Sequence, residues 1–251
     1  MKTAAALVCS LALSASCSLQ SSSGGETSTT SFFSGSSSTK GSGVVLEETR
    51  DVASFDSVRV EGSINLILTL GEPGPLRIKA DDNLVPLVVA TVKGSELTLK
   101  TKGSYSTKVG INVYATTADL RSIKSSGSTD VLCQGRVEVD ELELEASGAS
   151  DIECAVNSGS LTVVAQGSSD VRISGAVDLL QVVAEGSSDV AAFELLAAEA
   201  DVKASGSSDI YVNAKVLRAH ASGSSDVRYR GLPEKLSASD RGSGSVSPEG
   251  T

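Results

Sequence analysis

Tryptophan is absent from this 251-residue chain, and phenylalanine and tyrosine supply four residues each. So few rings leave little surface on which a sugar could stack. They also leave the interior to Val, Leu, Ile and Ala, which suits a narrow core of stacked aliphatic columns. Histidine occurs once, as His220. It stands between Ala219 and Ala221, whose alternation points inward, so its ring should face solvent. Without a carboxylate from a neighbouring segment it is a surface residue and not a general base. Basic residues are in deficit: the formal net charge is −10, which argues against nucleic acid as a partner. Beyond the first residues no apolar run is long enough to cross a bilayer.

The chain opens Met1-Lys2, continues with an apolar run from Ala4 to Leu13, and reaches Ser14-Ala15-Ser16-Cys17. Residues 1–17 read as a secretory signal peptide. Two processing routes compete. In the preferred one Cys17 is the lipidated first residue of a bacterial lipoprotein, because Ser14-Ala15-Ser16-Cys17 resembles a lipobox, with Leu13 one place further out than usual. In the other, ordinary cleavage uses Ser14 and Ser16, and Cys17 carries no lipid. Ser18 resembles outer-membrane sorting, and Cys9 would be lost with the signal. Residues 18–43 are almost entirely Ser, Thr and Gly. Such a stretch cannot bury enough apolar surface to offset its ordering entropy. It is expected to be a flexible tether with an rms reach of about 25–30 Å. The rest, 44–251, is expected to form one domain.

Within that domain Asp130, Asp151, Asp170, Asp189, Asp209 and Asp226 each close a Gly-x-Ser/Thr-Asp tetrad and are followed by Val or Ile. The intervals are 21, 19, 19, 20 and 17 residues. A period near twenty marks a solenoid in which each repeat is completed by its neighbours. In the repeat running from Leu161 to Gly175, alternation sends Leu161, Val163 and Ala165 to one face. Gly167 to Asp170 has turn chemistry. Val171 and Ile173 then point inward and Arg172 outward. The column two residues before the glycine stays small: Ala146, Ala165, Ala184, Ala204, Ala221. The same pattern begins earlier at Val58–Leu68, with Asn65 in the aspartate place, and ends at Gly242–Val246. Between Leu70 and Leu120 strands are evident but the tetrad is not, so less regular coils or a hairpin are expected there. The fold class is all-β: a right-handed, single-chain parallel β-helix of about 20 residues per coil. A β-sandwich, the alternative, would not predict a constant period.

These tetrads, preceded by Leu-x-Val-x-Ala and following a Phe55-Asp-Ser-Val58-x-Val60-x-Gly62 opening, resemble the bacterial "putative auto-transporter adhesin head, GIN domain" family. The resemblance covers about 52–247. It implies a β-helical, secreted or surface-attached domain, often on a lipoprotein, and brings no catalytic residues. The chain carries no translocating barrel, so it is not a complete auto-transporter.

Stacked carboxylates about 4.8 Å apart repel by about 0.9 kcal/mol per pair even in water, so the file of aspartates needs compensation. Hydrogen bonds from turn N–H groups or the tetrad Ser hydroxyls are the preferred source. Calcium between rungs is the sharper alternative, and simple solvation the third. No other cofactor is implied. Cys133 and Cys154 take the same inward place in successive turns, which allows either a disulfide or two buried thiols. Outward positions beside the aspartates, Glu153, Arg172, Tyr211 and Arg228, form the most varied strip and a candidate interface.

Together these features favour a non-enzymatic cell-envelope domain for adhesion or partner binding, held to a membrane through Cys17 and facing an unidentified protein or glycan. Its location would be the outer membrane, cell surface or periplasm. Two alternatives remain: a lyase-like polysaccharide enzyme recruiting Arg172, Arg228 and Arg230, and a purely structural envelope spacer.

Overall fold

The structure, a computed structural model, describes residues 38–250. The expected signal peptide, the lipidation site Cys17 and most of the tether lie outside the described residues. What is described is almost entirely β, a parallel solenoid of about seven turns with roughly 19 residues per turn.

Five strands each run a full turn: Asp130–Gly148, Asp151–Gly167, Asp170–Gly186, Asp189–Gly206 and Asp209–Gly223. They pair in parallel with the tetrads in register, Asp130 on Asp151, Asp151 on Asp170, and so on to Asp226. Because the pairing is parallel and in register, each side chain stacks on its equivalent one rung away. Leu161, Val163 and Ala165 point into the core and are fully buried, as are Val171 and Val190. Each large aliphatic so placed contributes about 1.5–3 kcal/mol. His220 is exposed, between buried Ala219 and Ala221. The Ala- and Glu-rich stretch around Leu195–Lys203 is strand, like its neighbours.

The N-terminal end departs from sequential winding. Strands Ser57–Gly62 and Ile64–Leu70 form a rung that lies between two others. On one side it pairs with Ser122–Gly127 and the start of the Asp130 strand. On the other it pairs with Glu96–Thr101 and Ile111–Thr117. The rung that comes later in the chain is therefore the outer one, so successive segments do not simply stack in order here. The intervening chain supplies a hairpin, Val88–Lys93 against Glu96–Thr101, and an antiparallel pair, Val45–Arg50 against Leu76–Asp81. Antiparallel strands at this end close a parallel edge that would otherwise invite further stacking. The hairpin is the irregularity that the missing tetrad announced.

The last part of the expected tether is docked on the domain. Thr39–Lys40 pairs with Tyr105–Ser106. Gly43 N–H donates to buried Asp81 at 2.9 Å, and Asn83 Nδ2 donates to the Lys40 carbonyl at 2.8 Å. Residues 39–43, inside the expected tether, are thus tied to the domain. Short as it is, this arm meets acceptors and donors in the segment Asp81–Asn83 that a Ser/Thr/Gly count does not reveal.

At the tetrads the backbone adopts a left-handed glycine: Gly167 has φ +84°, and a Cβ there would lie 2.8 Å from the Gly148 carbonyl oxygen. The turn is locked by the next N–H, Ser168, donating to Gly148 O at 2.7 Å. Gly167→Ala is therefore expected to cost at least ~2 kcal/mol through left-handed strain and backbone clash, lowering the thermal midpoint by at least about 4 °C. Gly74→Ala, with open space around it, is the control and should melt like the parent. Equal midpoints for both variants would contradict this account of the turn.

Candidate functional site

The aspartates form one continuous file along the edge where each coil begins. Four of them, Asp151, Asp189, Asp209 and Asp226, accept a backbone N–H from the neighbouring rung, and Asp170 pairs with Arg172. Asp151 Oδ1 accepts from Asp170 N–H at 3.3 Å, Asp189 Oδ1 from Asp209 N–H at 3.2 Å, and Asp209 Oδ1 from Asp226 N–H at 3.1 Å. At the end of the file Asp226 Oδ1 accepts from both the N–H and the hydroxyl of Ser245. Most of these N–H groups also reach the preceding serine carbonyl, as Asp209 N–H does to Ser188 O at 3.3 Å. They are therefore shared three-centre donors.

The tetrad hydroxyls do not help the aspartates, contrary to the sequence expectation. Ser150, Ser169, Ser188, Ser208 and Ser225 are fully buried and point inward. Ser188 Oγ sits 3.0 Å from both the Ala165 and the Glu185 carbonyl oxygens; Ser208 and Ser225 repeat the arrangement. A buried hydroxyl must find such a partner, and the carbonyls at the tight corner are the nearest acceptors. In the final coil this place is Gly244, where a Cβ would meet Ser225 O at 2.6 Å.

The file extends beyond the six acids. Asn65 lies next to the Val131–Leu66 pairing, in line with Asp130, and is itself paired with Asn112. Asn65 Nδ2 donates to Asn112 Oδ1 at 3.3 Å. Neutral amides thus precede the acids and neutral Ser245 follows them. Asn112 was missed in the sequence because its strand lacks the glycine tetrad.

Two residues along each strand runs the outward strip, with Glu153 on Arg172, Arg172 on Ala191, Ala191 on Tyr211 and Tyr211 on Arg228. The four expected interface residues therefore share one file, with Ala191 as the gap. Arg172 bridges rungs, 3.1 Å from Asp170 and 4.0 Å from Asp151. Arg228 lies 3.5 Å from Asp226 and 5.8 Å from the Tyr211 ring centroid. Tyr211 Oη approaches Asp209 Oδ2 at 3.4 Å, and burial followed by the Asp209 charge raises its pKa above the ordinary tyrosine value. Glu153 is exposed at the far end. Behind that end Cys133 and Cys154 are joined in a disulfide, Cα to Cα 4.8 Å, which resolves the choice between a bridge and two thiols.

Sequence reasoning missed Phe193, Glu194 and their neighbour Arg230 as members of this face. The strand Asp189–Gly206 bulges: its pairing with the next strand jumps from Ala192↔Val212 to Leu196↔Asn213. The bulge turns Phe193 toward Tyr211, with ring centroids 5.3 Å apart at 75°. Arg230 packs over Phe193 at 4.5 Å and pairs with Glu194 and Glu249 at 2.8 and 2.6 Å. The pairing lowers the Glu249 pKa. The signal was present as the unequal intervals of 20 and then 17 residues. The arginines that an enzymatic alternative would recruit are each held by carboxylates, and His220 stacks between Lys203 and Ser239 on another side of the coil. Among the described residues no group of three or more His, Cys, Asp or Glu side chains is placed to share a metal ion.

A family model described as "Putative auto-transporter adhesin, head GIN domain" matches residues 54–233. No curated protein matches the chain. Solved structures of the same fold include a "putative adhesin" from Bacteroides fragilis (23% identity, TM-score 0.77), with 83% of this chain and 99% of that one covered. A "Putative lipid binding protein" from Parabacteroides distasonis shares 21% identity at TM-score 0.70, covering 84% and 99%. A "putative adhesin" from Parabacteroides merdae shares 19% at TM-score 0.60, covering 83% and 98%. At these identities the likeness is one of fold.

Asp189 is the strained member of the file. Ala191 beside it offers no cation, and its pKa is raised, first by burial and then by the charges of Asp209 and Asp170. A carboxyl whose folded pKa is raised disfavours the folded state once both states have ionised, so neutralising it should help at neutral pH. Asp189→Asn keeps an acceptor oxygen for Asp209 N–H. After discounting for solvent screening, a gain of a few tenths of a kcal/mol is expected at pH 7. The corresponding rise in melting midpoint is about 1 °C. The gain should fade as pH falls below the carboxyl range, where the parent is protonated as well. A lower midpoint than the parent at pH 7 would refute this electrostatic account.

Proposed function

This chain belongs to the auto-transporter adhesin head GIN-domain family, and on that premise we propose that it is a non-enzymatic adhesion domain of the cell envelope. Its contact surface is the strip that borders the aspartate file. The observation that carries the reading is the single outward file of Glu153, Arg172, Tyr211 and Arg228, three of them drawn against the aspartates and all aligned by register. A row of one acid and two arginines with an aromatic near one end, held on rigid strands, suits recognition of another surface and loses little entropy on binding. The pairing of Arg172, Arg228 and Arg230 with carboxylates weighs against lyase chemistry, which would need free cations to neutralise an acidic substrate.

The domain is held to a membrane through lipidated Cys17 and stands off from it on the Ser/Thr/Gly tether, with Thr39–Gly43 fixing where the tether leaves the fold. Adhesin-family membership supports an exported or cell-surface location. Cys17→Ser should move the protein from the membrane fraction to the soluble fraction and abolish labelling by a fatty-acid analogue; unchanged fractionation and labelling would rule out the anchor.

The face has its own test. Replacing Glu153, Arg172, Tyr211 and Arg228 together by Ala should remove binding of the full chain to whole cells or immobilised envelope glycans, while circular dichroism stays that of the parent. Retained binding by the fourfold variant would dismiss the strip as the contact surface.

A further inference from the structure

Identical rungs stacked in register make a flat face, and a flat face offers no enclosure to a small ligand. Enclosure arises where the period breaks. The 20-residue coil beginning at Asp189 is followed by the 17-residue coil beginning at Asp209. The three-residue excess, Phe193 to Leu195, is expelled as the bulge described above. Bulges re-aim side chains and are common beside binding sites.

Here the bulge gathers the outward aromatics of the coiled region. Phe193 and Tyr211 line a surface hollow together. It measures about 350 Å³ and is bordered also by Asp226, Arg228, Ser247 and Glu249. That volume is within the range of small-ligand sites, roughly 300–1,000 Å³. Both rings are half-buried and fixed: they meet edge to face, with an arginine packed on each.

We infer that this hollow is a subsite for one or two residues of a neutral, polyhydroxylated sugar. The proposal rests on the adhesion reading and deepens it by naming the ligand class. The chemistry of the rim selects that class. Carboxylates of Asp226 and Glu249 accept hydrogen bonds, and the Arg228 guanidinium, engaged by Asp226 through one nitrogen at 3.5 Å, donates them. A sugar hydroxyl both donates and accepts, so neighbouring hydroxyls satisfy both kinds of partner at once. An anionic ligand would face Asp209, Asp226 and Glu249, whose charges outnumber the two arginines, and Arg230 is already clamped between Glu194 and Glu249. A cationic ligand would have to displace Arg228 from its own carboxylate. The apolar faces of a pyranose need an aromatic wall, and in a chain without tryptophan this is the place where two rings provide one. The 3.1 Å pairing of Arg172 with Asp170 at the other end of the strip has no ring beside it.

The test uses the full chain carrying Cys17→Ser, titrated calorimetrically with maltohexaose, xylohexaose and chitohexaose as neutral probes and with hexagalacturonate as the acidic one. The expected result is saturable binding of at least one neutral hexaose. Tyr211→Ala and Phe193→Leu should each weaken it about tenfold, the loss typical of truncating an aromatic anchor. His220→Ala, at an exposed position on another side of the coil, should leave it unchanged. Phe193→Leu keeps an apolar side chain on the bulge, so its result stands even if Tyr211→Ala unfolds; melting curves identify that case. Binding of hexagalacturonate in preference to the neutral probes, binding indifferent to both aromatic substitutions, or no binding of any neutral hexaose would overturn the inference. If in addition Phe193→Leu keeps full cell binding while the fourfold strip variant loses it, the subsite falls and the adhesion face stands. If the fourfold variant also keeps cell binding, the adhesion face itself falls.

Discussion

Parallel pairing in register is the constraint from which the rest of this molecule descends. Once each coil lies on its predecessor without slip, every residue must tolerate a copy of itself about 4.8 Å away. Aliphatic side chains do this at a profit, since stacking extends the burial. Glycine does it because the corner leaves no room for a Cβ, as the 2.8 Å approach at Gly167 shows. Serine does it by turning inward and giving its proton to carbonyls. Thr129 takes the same buried place one rung before Ser150, above apolar Ile64, and its hydroxyl has no hydrogen-bond partner.

Aspartate is the residue least suited to such a file, and its presence has to be reconciled with the repulsion between neighbours. Asp151, Asp189, Asp209 and Asp226 each accept a backbone N–H from the next rung, an interaction that only in-register stacking supplies. The same geometry that brings the charges together thus brings a donor to them. Three further devices limit the cost: neutral Asn112 and Asn65 precede the acids, Ser245 follows them, and Arg172 and Arg228 stand two residues along. Exposed ion pairs of that kind are individually weak, about 0–1 kcal/mol, so the backbone donors carry most of the compensation. Asp189 has neutral Ala191 two residues along, and burial first, then the Asp209 and Asp170 charges, raise its pKa.

Much of this could be read from the sequence because repetition makes columns visible without knowledge of contacts. The coil period, the small Ala146–Ala221 column, the aspartate file from Asn65 onward and the outward strip all follow from writing the repeats beneath one another. The orientation of the tetrad serines could not be read that way. Alternation fails at a turn, and Ser-Ser-Asp offers three polar residues with nothing in their type to say which one goes inside. The inverted order of the first rungs was hidden for a different reason. The closing strands Val45–Arg50 and Val88–Lys93 pair antiparallel and carry no tetrad, so no column connects them to the rest. Cys133 and Cys154 were legible as neighbours, but spacing alone does not distinguish a bridge from two thiols.

The informative positions for binding are those at which the repeat is imperfect. A perfect solenoid presents the same groove at every rung and so distinguishes nothing along its length. The 21-residue interval after Asp130 shifts the register between Leu132 and Arg136 and opens a hollow bordered by Gly135, Arg136, Glu153 and Arg172. The 20- and 17-residue intervals do the same at Phe193. Both breaks fall on the side that carries the outward strip, one near each end of it, while the regular 19-residue coils between them carry Glu153 and Arg172. Length variation that looked like noise around a period therefore has a direction. It leaves Val171, Val190 and Ile210 fully buried and sets Phe193 and Glu194 on the surface that faces a partner, while Leu195 joins the core.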